Sequence, residues 1–405
     1  MAGINLTSLL MESSKEIVDK VRASYQFNTL LKTTHQANDP VVTKQSIVEV
    51  LAPFFENRAN LERFAIVALI PELSTLTELM KYPQYMQYFQ DILQTYKDAK
   101  NVNKDHFYKA LGYWHKPCER ALHKYWSVYH LEIEKSTLPI EEYVHESFRN
   151  VGDIIEGITQ PFLRALLHIV RIRNKSIINT NKLASDDLGV IIASLIEECT
   201  FPDLFVIPPW EIRLNQCRNI AFHHTTQIVG DEIICTYGKA PNTKKFNTSR
   251  EDIYIATQNI FNLFRAIKLV YSIMIIDNIA WLRYPDNDTP ILRKESHLIN
   301  LVLQFASQGF DVVDFAESSV LSTVRVRDLL KGNDRIRAIH SSQFLYSLWQ
   351  STESSCVVVE YENKEGLLMY RFALDSDTCR KISTTEEDPG ALQAEKMTIN
   401  KIVQQ

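Results

Sequence analysis

Residues 249–277 read SREDIYIATQNIFNLFRAIKLVYSIMIID, and this stretch decides the fold of the middle of the chain. Ser249 stands three residues before Asp252, which is the spacing of a capping box at the start of a helix. Apolar side chains then recur every three or four residues, and this period predicts one long amphipathic helix. Lys268 and Asp277 interrupt its most apolar part, so the pattern favours a buried core helix over a membrane span.

Two further elements are predicted upstream of this helix. The segment TTQIVGDEIICTYG, residues 225–238, predicts a β-hairpin, because two β-branched stretches flank the turn residues Gly230 and Asp231. Before the hairpin, a helix is predicted to begin near Pro209, since proline is tolerated at the first helical position. That helix carries the segment EIRLNQCRNIAFHHT, residues 211–225.

Glycine is scarce in the first third of the chain. Only Gly3 and Gly112 precede Gly152, and the apolar residues between them follow a helical period. The sequence therefore predicts a helical N-terminal domain over residues 1–144, followed by a second, central domain over residues 145–285.

The predicted secondary structure changes from helical to mixed α/β after the linker RYPDNDTP, residues 283–290. Residues 286–405 are predicted to form a smaller α/β domain, whose tail from Ser383 onward is polar and expected to be loose. Its predicted strands are FDVVDF, TVRVRDL, SSCVVVEYEN and GLLMYRFALD. The predicted fold class is thus mainly α, with a helical N-terminal block, a central helical bundle bearing a short hairpin, and an α/β C-terminal block.

The composition excludes several classes of function. The 44 Lys and Arg against 49 Asp and Glu give a net charge of −5, which argues against a basic field that wraps duplex DNA. The six cysteines are scattered without short pairings, and the N-terminus lacks a basic start followed by an apolar run. We therefore expect a cytoplasmic protein with reduced thiols and no membrane association.

The segment Arg218-Asn219-Ile220-Ala221-Phe222-His223 carries residue types suited to chemistry at a phosphodiester. Arginine offers a fork of N–H donors to phosphate oxygens, and histidine moves protons near neutral pH. Asn219 lies one helical turn before His223 and is placed to orient its imidazole. Such a set predicts metal-free cleavage of RNA, in which the 2′-hydroxyl attacks the phosphate. An alternative is a plain helix with a surface arginine and two capping histidines.

The surroundings of this motif resemble the HEPN superfamily of helical RNA-processing domains. The resemblance rests on the preceding helix with DDLGVIIASLI, the R-N-x-x-x-H motif, the hairpin with VGDEII and the final long helix, all within residues 145–285. It implies that Arg218 and His223 are catalytic and that Asn219 is the polar residue beside the arginine. It also implies a homodimer with a composite active site that needs no metal or other cofactor and leaves 2′,3′-cyclic phosphate and 5′-hydroxyl ends.

Several other residues are weighed for a role. Phe222 departs from the family pattern, where a small residue often precedes the histidine, and it can either narrow the cleft or pack against the partner chain. His224 is a possible helper in proton transfer, although helix capping or solvent exposure is favoured. Lys244 and Lys245, in the loop after the hairpin, are candidates for contact with RNA phosphates. For Asp153 and Glu156, where the family sometimes has an acidic helper, a solvated helix face is favoured.

A metal site is not predicted. His115, Cys118, His123 and His130 invite a zinc hypothesis, but their spacing lacks the paired C-x2-C or H-x3-H arrangement of zinc sites.

The predicted function is a regulated metal-independent endoribonuclease that acts on RNA, of the kind found among toxins and antiviral-defence effectors. A regulatory protein or ligand is expected to act through the flanking domains. The alternative is a catalytically silent HEPN-like scaffold that dimerises and holds an RNA or protein partner.

Overall fold

The computed structural model describes residues 14–23, 27–28, 31–32, 40–65, 68–129, 138–223, 225–230, 232–238, 241–283, 294–330, 332–384 and 389–402. Its α-helices are α1 (Ser14–Ala23), α2 (Pro40–Leu51), α3 (Arg58–Phe64), α4 (Ile70–Leu79), α5 (Pro83–Val102), α6 (Lys104–Tyr129), α7 (Ile140–Gly152), α8 (Gln160–Arg173), α9 (Thr180–Ser185), α10 (Leu188–Glu198), α11 (Leu214–His223), α12 (Arg250–Asp277), α13 (Lys294–Ser307), α14 (Asp334–Ser342), α15 (Leu345–Thr352), α16 (Ser376–Thr384) and α17 (Pro389–Lys396). The strands are β1 (Val206–Ile207), β2 (Ile212–Arg213), β3 (Thr226–Val229), β4 (Glu232–Tyr237), β5 (Lys244–Thr248), β6 (Phe310–Glu317), β7 (Leu321–Asp328), β8 (Cys356–Glu362), β9 (Leu368–Asp375) and β10 (Thr398–Lys401). The prediction of a mainly α chain with a smaller α/β region is confirmed.

The chain divides into two compact units rather than along the three predicted domains. The α/β unit combines Met1–Val50, Ala65–Ile70 and Ile291–Gln405, and the helical unit combines Leu51–Phe64 and Pro71–Pro290. The predicted boundary at 144/145 falls inside the helical unit, whereas the boundary at 285/286 lies close to its end. One reason is long-range pairing in the α/β unit, since the guanidinium of Arg22 in α1 lies 3.2 Å from the carboxylate of Asp311 in β6.

Helix α12 is the core of the helical unit. The predicted capping box is confirmed, because the Ser249 hydroxyl accepts a hydrogen bond from the Asp252 amide and the Asp252 carboxylate accepts one from the Ser249 amide. The second half of α12 is buried on nearly all sides. Along its length the helix packs against α5, α7, α8 and α3. Of the described helices, only α12 is long and apolar enough to cross a membrane, and its burial is that of a core helix.

The chain from residue 140 to residue 173 runs as one continuous helix with a π-helical turn in its middle. This π turn, Asp153–Thr159, connects α7 to α8, and the Gln160 amide donates to the carbonyl of Ile155 five residues back. Pro161 has no amide hydrogen for an α-helical bond to the Gly157 carbonyl, and the Thr159 hydroxyl donates to the Ile154 carbonyl. The irregular turn therefore lies where proline disturbs the helical hydrogen bonds.

The segment around α11 differs from its prediction in two details. The helix begins at Leu214 rather than near Pro209, because Glu211 has a φ of 51° and Ile212–Arg213 pairs with Val206–Ile207 as a short antiparallel ladder. The predicted hairpin is confirmed, with Gly230 at a φ of 63° in the turn between β3 and β4. A third strand, β5, continues it as an antiparallel sheet of order β3-β4-β5.

In the α/β unit, five strands form a sheet of order β10-β9-β8-β7-β6, in which only β7 and β8 run parallel. All four predicted strands of this region are confirmed as β6 to β9. The expectation of a loose tail is wrong for residues 389–402, which form α17 and the edge strand β10 against β9. Every residue of β10 is exposed, so this strand carries no alternating apolar pattern that would have predicted it.

A buried histidine in the helical unit is held in its neutral form. The indole nitrogen Nε1 of Trp114 donates to Nδ1 of His168 over 3.0 Å, and both side chains are buried. Burial, with smaller contributions from His106 and Arg171, lowers the pKa of His168 to about 4. Nδ1 must be unprotonated to accept the bond, which fixes the tautomer as Nε2–H.

His168 should make the unfolding free energy depend on pH between about 6.5 and 4. In that window the unfolded chain binds a proton at this position and the folded chain does not, so stability falls as the pH falls. The full effect is roughly 3 kcal/mol at the low end. Urea unfolding at several pH values should show a smaller loss in His168→Gln, whose amide oxygen still accepts from Trp114. An identical pH dependence in both chains would contradict this assignment.

Candidate active site

Helix α11 presents the predicted motif on its outer side. Its apolar residues Leu214, Cys217, Ile220 and Ala221 are buried against the rest of the helical unit. Arg218 and Asn219 are half-buried, whereas Phe222 and His223 are exposed at the end of the helix. The helical period thus separates a packing face from a face that carries the residues suited to chemistry.

Arg218 is held by a glutamate of the π turn. Its Nε donates to Oε2 of Glu156 over 2.8 Å, and its Nη2 lies 2.7 Å from the same oxygen. The Arg218 side chain is 28% exposed and that of Glu156 is 42% exposed, so the pair lies at the surface. Glu156 is exposed, as a solvated helix face predicts, and its carboxylate in addition bonds the guanidinium of Arg218. Asp153 is exposed, as a solvated face predicts.

Two neighbours on α11 complete the surroundings of this guanidinium. Asn219 accepts a long hydrogen bond of 3.4 Å from Nη1 of Arg218 at its Oδ1. The guanidinium carbon lies 5.0 Å from the centroid of the Phe222 ring, which is cation–π distance. The ring also lies close to Gly152, where an added Cβ would stand 3.0 Å from a ring carbon. Phe222 thus stacks on the motif arginine within one chain.

His223 is not joined to the other two motif residues by a hydrogen bond. The helix stays regular through His223, which leaves Arg218 about 140° away around an ideal helix. Among the described side chains, Asn219 bonds to Arg218, and none bonds to the imidazole of His223. The predicted orientation of that imidazole by Asn219 is therefore not seen. His224, the possible helper, lies outside the described residues.

Lys244 and Lys245 lie on strand β5 and not in a loop. They pair with Tyr237 and Thr236 of β4, and both are exposed. Because successive side chains of a strand point to opposite faces, the two ammonium groups do not form one patch. Strand β5 was not predicted, because its short polar sequence KKFNT has no alternating apolar pattern.

The residues of the zinc hypothesis are only partly described. Cys118 is fully buried, and burial raises the pKa of its thiol, which opposes the thiolate that zinc requires. The side chains of His123 and His130 lie outside the described residues. In the part of the chain that the structure describes, no three His, Cys, Asp or Glu side chains form a group suited to a metal ion.

The arrangement combines a fixed cationic fork with an exposed imidazole on one short helix. Arginine has five N–H donors, of which Glu156 engages two and Asn219 one. Nη1 and Nη2 therefore each keep one donor for an oxyanion. The contact of Glu156 with Arg218 has no signal in the sequence, since sixty-two residues separate the two.

No protein-family model, curated protein or solved structure matches this chain. The geometry of the motif and its neighbours therefore carries the functional inference.

The contact between Arg218 and Glu156 should contribute little to the unfolding free energy. A double-mutant cycle with Arg218→Gln and Glu156→Gln is expected to give a coupling free energy of about 0.3–1 kcal/mol, because the pair is half-exposed. The coupling should fall in 1 M NaCl, where charges are screened within about 3 Å. The matched control is the more exposed pair Arg58 and Glu62, 2.9 Å apart. A coupling above about 3 kcal/mol would mean that the pair is a buried structural element instead.

Proposed function

We propose that this chain is a metal-independent endoribonuclease with a HEPN-like helical domain. It cleaves RNA by attack of the 2′-hydroxyl on the adjacent phosphate and leaves 2′,3′-cyclic phosphate and 5′-hydroxyl ends. The observation that carries the proposal is a guanidinium fixed by Glu156, with donors to spare, on the same helix as the exposed imidazole of His223.

Arg218 stabilises the charge that develops on the phosphate oxygens. Glu156 engages the side of the guanidinium formed by Nε and Nη2, which leaves the outer edge of Nη1 and Nη2 for two phosphate oxygens. A donor pair positioned before the reaction stabilises the transition state without reorganisation. Glu156 is accordingly a positioning residue, and Phe222 restricts the guanidinium from one side by stacking.

His223 transfers the proton. Its imidazole can take the proton from the 2′-hydroxyl or give one to the departing 5′-oxygen, which are the two proton transfers that this reaction requires. The side chain is exposed and lies at the end of α11, where RNA has access. DNA has no 2′-hydroxyl and is not a substrate for this chemistry.

A second copy of the chain supplies the other half of the active site in this proposal. One chain offers a single Arg218 and a single His223 without a hydrogen bond between them, whereas two copies in a homodimer offer both a base and an acid. The exposed edge of Phe222, 43% exposed, is available to a partner chain.

Such a ribonuclease endangers its own cell, and we place it among regulated toxins or antiviral-defence effectors in the cytoplasm. A regulatory protein or ligand would then act through the residues that flank the HEPN-like domain.

The second candidate function is a silent scaffold that dimerises and holds an RNA or protein partner. The observation that favours it is the ion pair itself, because Glu156 gives Arg218 a structural partner without any substrate. In a scaffold the imidazole of His223 has no catalytic role.

Replacement of His223 separates the two functions. We expect purified wild-type chain to cut end-labelled tRNA or mRNA in EDTA, and His223→Ala to lose roughly 100- to 10,000-fold in rate, because general acid–base catalysis is removed. Fragment ends should carry cyclic phosphate. His106→Ala, which removes an exposed histidine elsewhere in the helical unit, is the matched control.

Equal cleavage by wild-type and His223→Ala chains would overturn the proposed active site. Binding of RNA or dimerisation by both chains, with cleavage by neither, would favour the scaffold. Arg218→Lys keeps the charge and loses the fork, and the enzyme is expected to lose activity with it.

A further inference from the structure

A pocket of about 200 Å³ lies next to the motif, between α7, the end of α11 and β3. Its apolar walls come from Val144, Phe148, Ile220 and Ile228. The first two lie on α7 and the others on α11 and β3, so the pocket belongs to the framework that holds the motif helix.

The pocket and the guanidinium lie along the same pair of helices. Helix α11 packs antiparallel to α7 and the π turn. Arg218 contacts Glu156, Phe222 contacts Gly152, and Ala221 lines the pocket together with Phe148. Ala221, which lines the pocket, and the Phe222 ring both lie within 3.4 Å of the position that a Cβ of Gly152 would take, and the Phe222 ring stacks on the Arg218 guanidinium. The pocket is therefore separated from the guanidinium by little more than the Phe222 ring, so a base in the pocket can belong to the nucleotide whose phosphate Arg218 binds.

Three polar side chains line the pocket, namely Glu141, His145 and Thr226. Glu141 and His145 stand one turn apart on α7, and Thr226 belongs to β3. They supply a carboxylate acceptor, an imidazole and a hydroxyl around an apolar interior. Apolar walls with a few polar groups are the usual composition of a small-molecule site.

The size and chemistry of the pocket fit a flat heteroaromatic ring. A protein cavity of roughly 150 Å³ already admits benzene, and this pocket is somewhat larger. A carboxylate accepts two parallel N–H bonds, and guanine alone among the four RNA bases has two adjacent donors on its Watson–Crick edge, at N1 and the N2 amino group. Adenine and cytosine put a ring acceptor beside their amino group, and uracil puts carbonyls on both sides of its N–H.

We propose that this pocket binds a guanine base next to the scissile phosphodiester, with the Glu141 carboxylate accepting from N1–H and the N2 amino group. His145 and Thr226 then face the remaining polar atoms of the base, where an N–H or O–H can donate to O6 or N7. The inference rests on the proposed function, since it makes the chain a ribonuclease with a preference for guanosine at its cut site.

Binding is tested in the His223→Ala chain, so that the RNA stays intact. The probes are fluorescein-labelled pentaribonucleotides of uridine with guanosine, adenosine, cytidine or uridine at the centre, measured by anisotropy. We expect the guanosine probe to bind at least about tenfold more tightly than the others, since paired hydrogen bonds to a base edge discriminate by this order.

Two variants in that background locate the preference. Glu141→Gln should remove it, because an amide cannot accept both bonds, whereas Glu142→Gln, an exposed neighbour outside the pocket, should keep it. Thr226→Trp should remove it by filling the pocket. Circular dichroism melting establishes that each variant is folded.

Equal affinity for the four probes, or a preference that survives both Glu141→Gln and Thr226→Trp in folded protein, overturns the guanine pocket. Cleavage by the wild-type chain without preference for guanosine also overturns it, and leaves the proposed ribonuclease in place. A guanosine preference that depends on Glu141, in a chain that cuts no RNA, supports the pocket and overturns the ribonuclease.

Discussion

The burial of helix α12 is the constraint on which the helical unit depends. Its second half is apolar on nearly every side, so it is stable in water only when other helices enclose it. Two charges on that helix then need partners inside the protein. The ammonium of Lys268 lies 2.6 Å from both carboxylate oxygens of Glu72, and Asp277 accepts from the backbone amides of Glu56 and Asn57. These bonds and the apolar packing around α12 set the positions of the surrounding helices, including α7 and the π turn.

The elements that could be predicted from sequence are those with local signals. The capping box at Ser249, the glycine turn at Gly230 and the β-branched and aromatic residues of β6 to β9 each specify their own structure within a few residues. What could not be predicted depends on pairing across long separations. The edge strand β10 has no apolar pattern of its own, and α1 finds its partner in β6 nearly three hundred residues later.

The same division holds for the candidate site. The motif letters placed Arg218, Asn219 and His223 on one helix, and the structure agrees on this because the helical period is local. Which of these side chains contact each other depends on α7 and the π turn, which pack against α11. Glu156 forms an ion pair with Arg218, and Gly152 leaves room for the Phe222 ring. The sequence spacing alone predicted a contact between Asn219 and His223.

The π turn at Asp153–Thr159 sets the helical phase of this region. Each residue of an α-helix advances the direction of its side chains by about 100°, so a single added or missing residue there rotates everything upstream relative to α8. With residues from Gln160 onward held in the core, the face of α7 that carries Glu141 and Phe148 turns away from α11. Insertions and deletions in this one turn would thus move Glu156 and the pocket walls of α7 away from α11, so the arrangement around Arg218 depends on the length of this segment as well as on the identity of its residues.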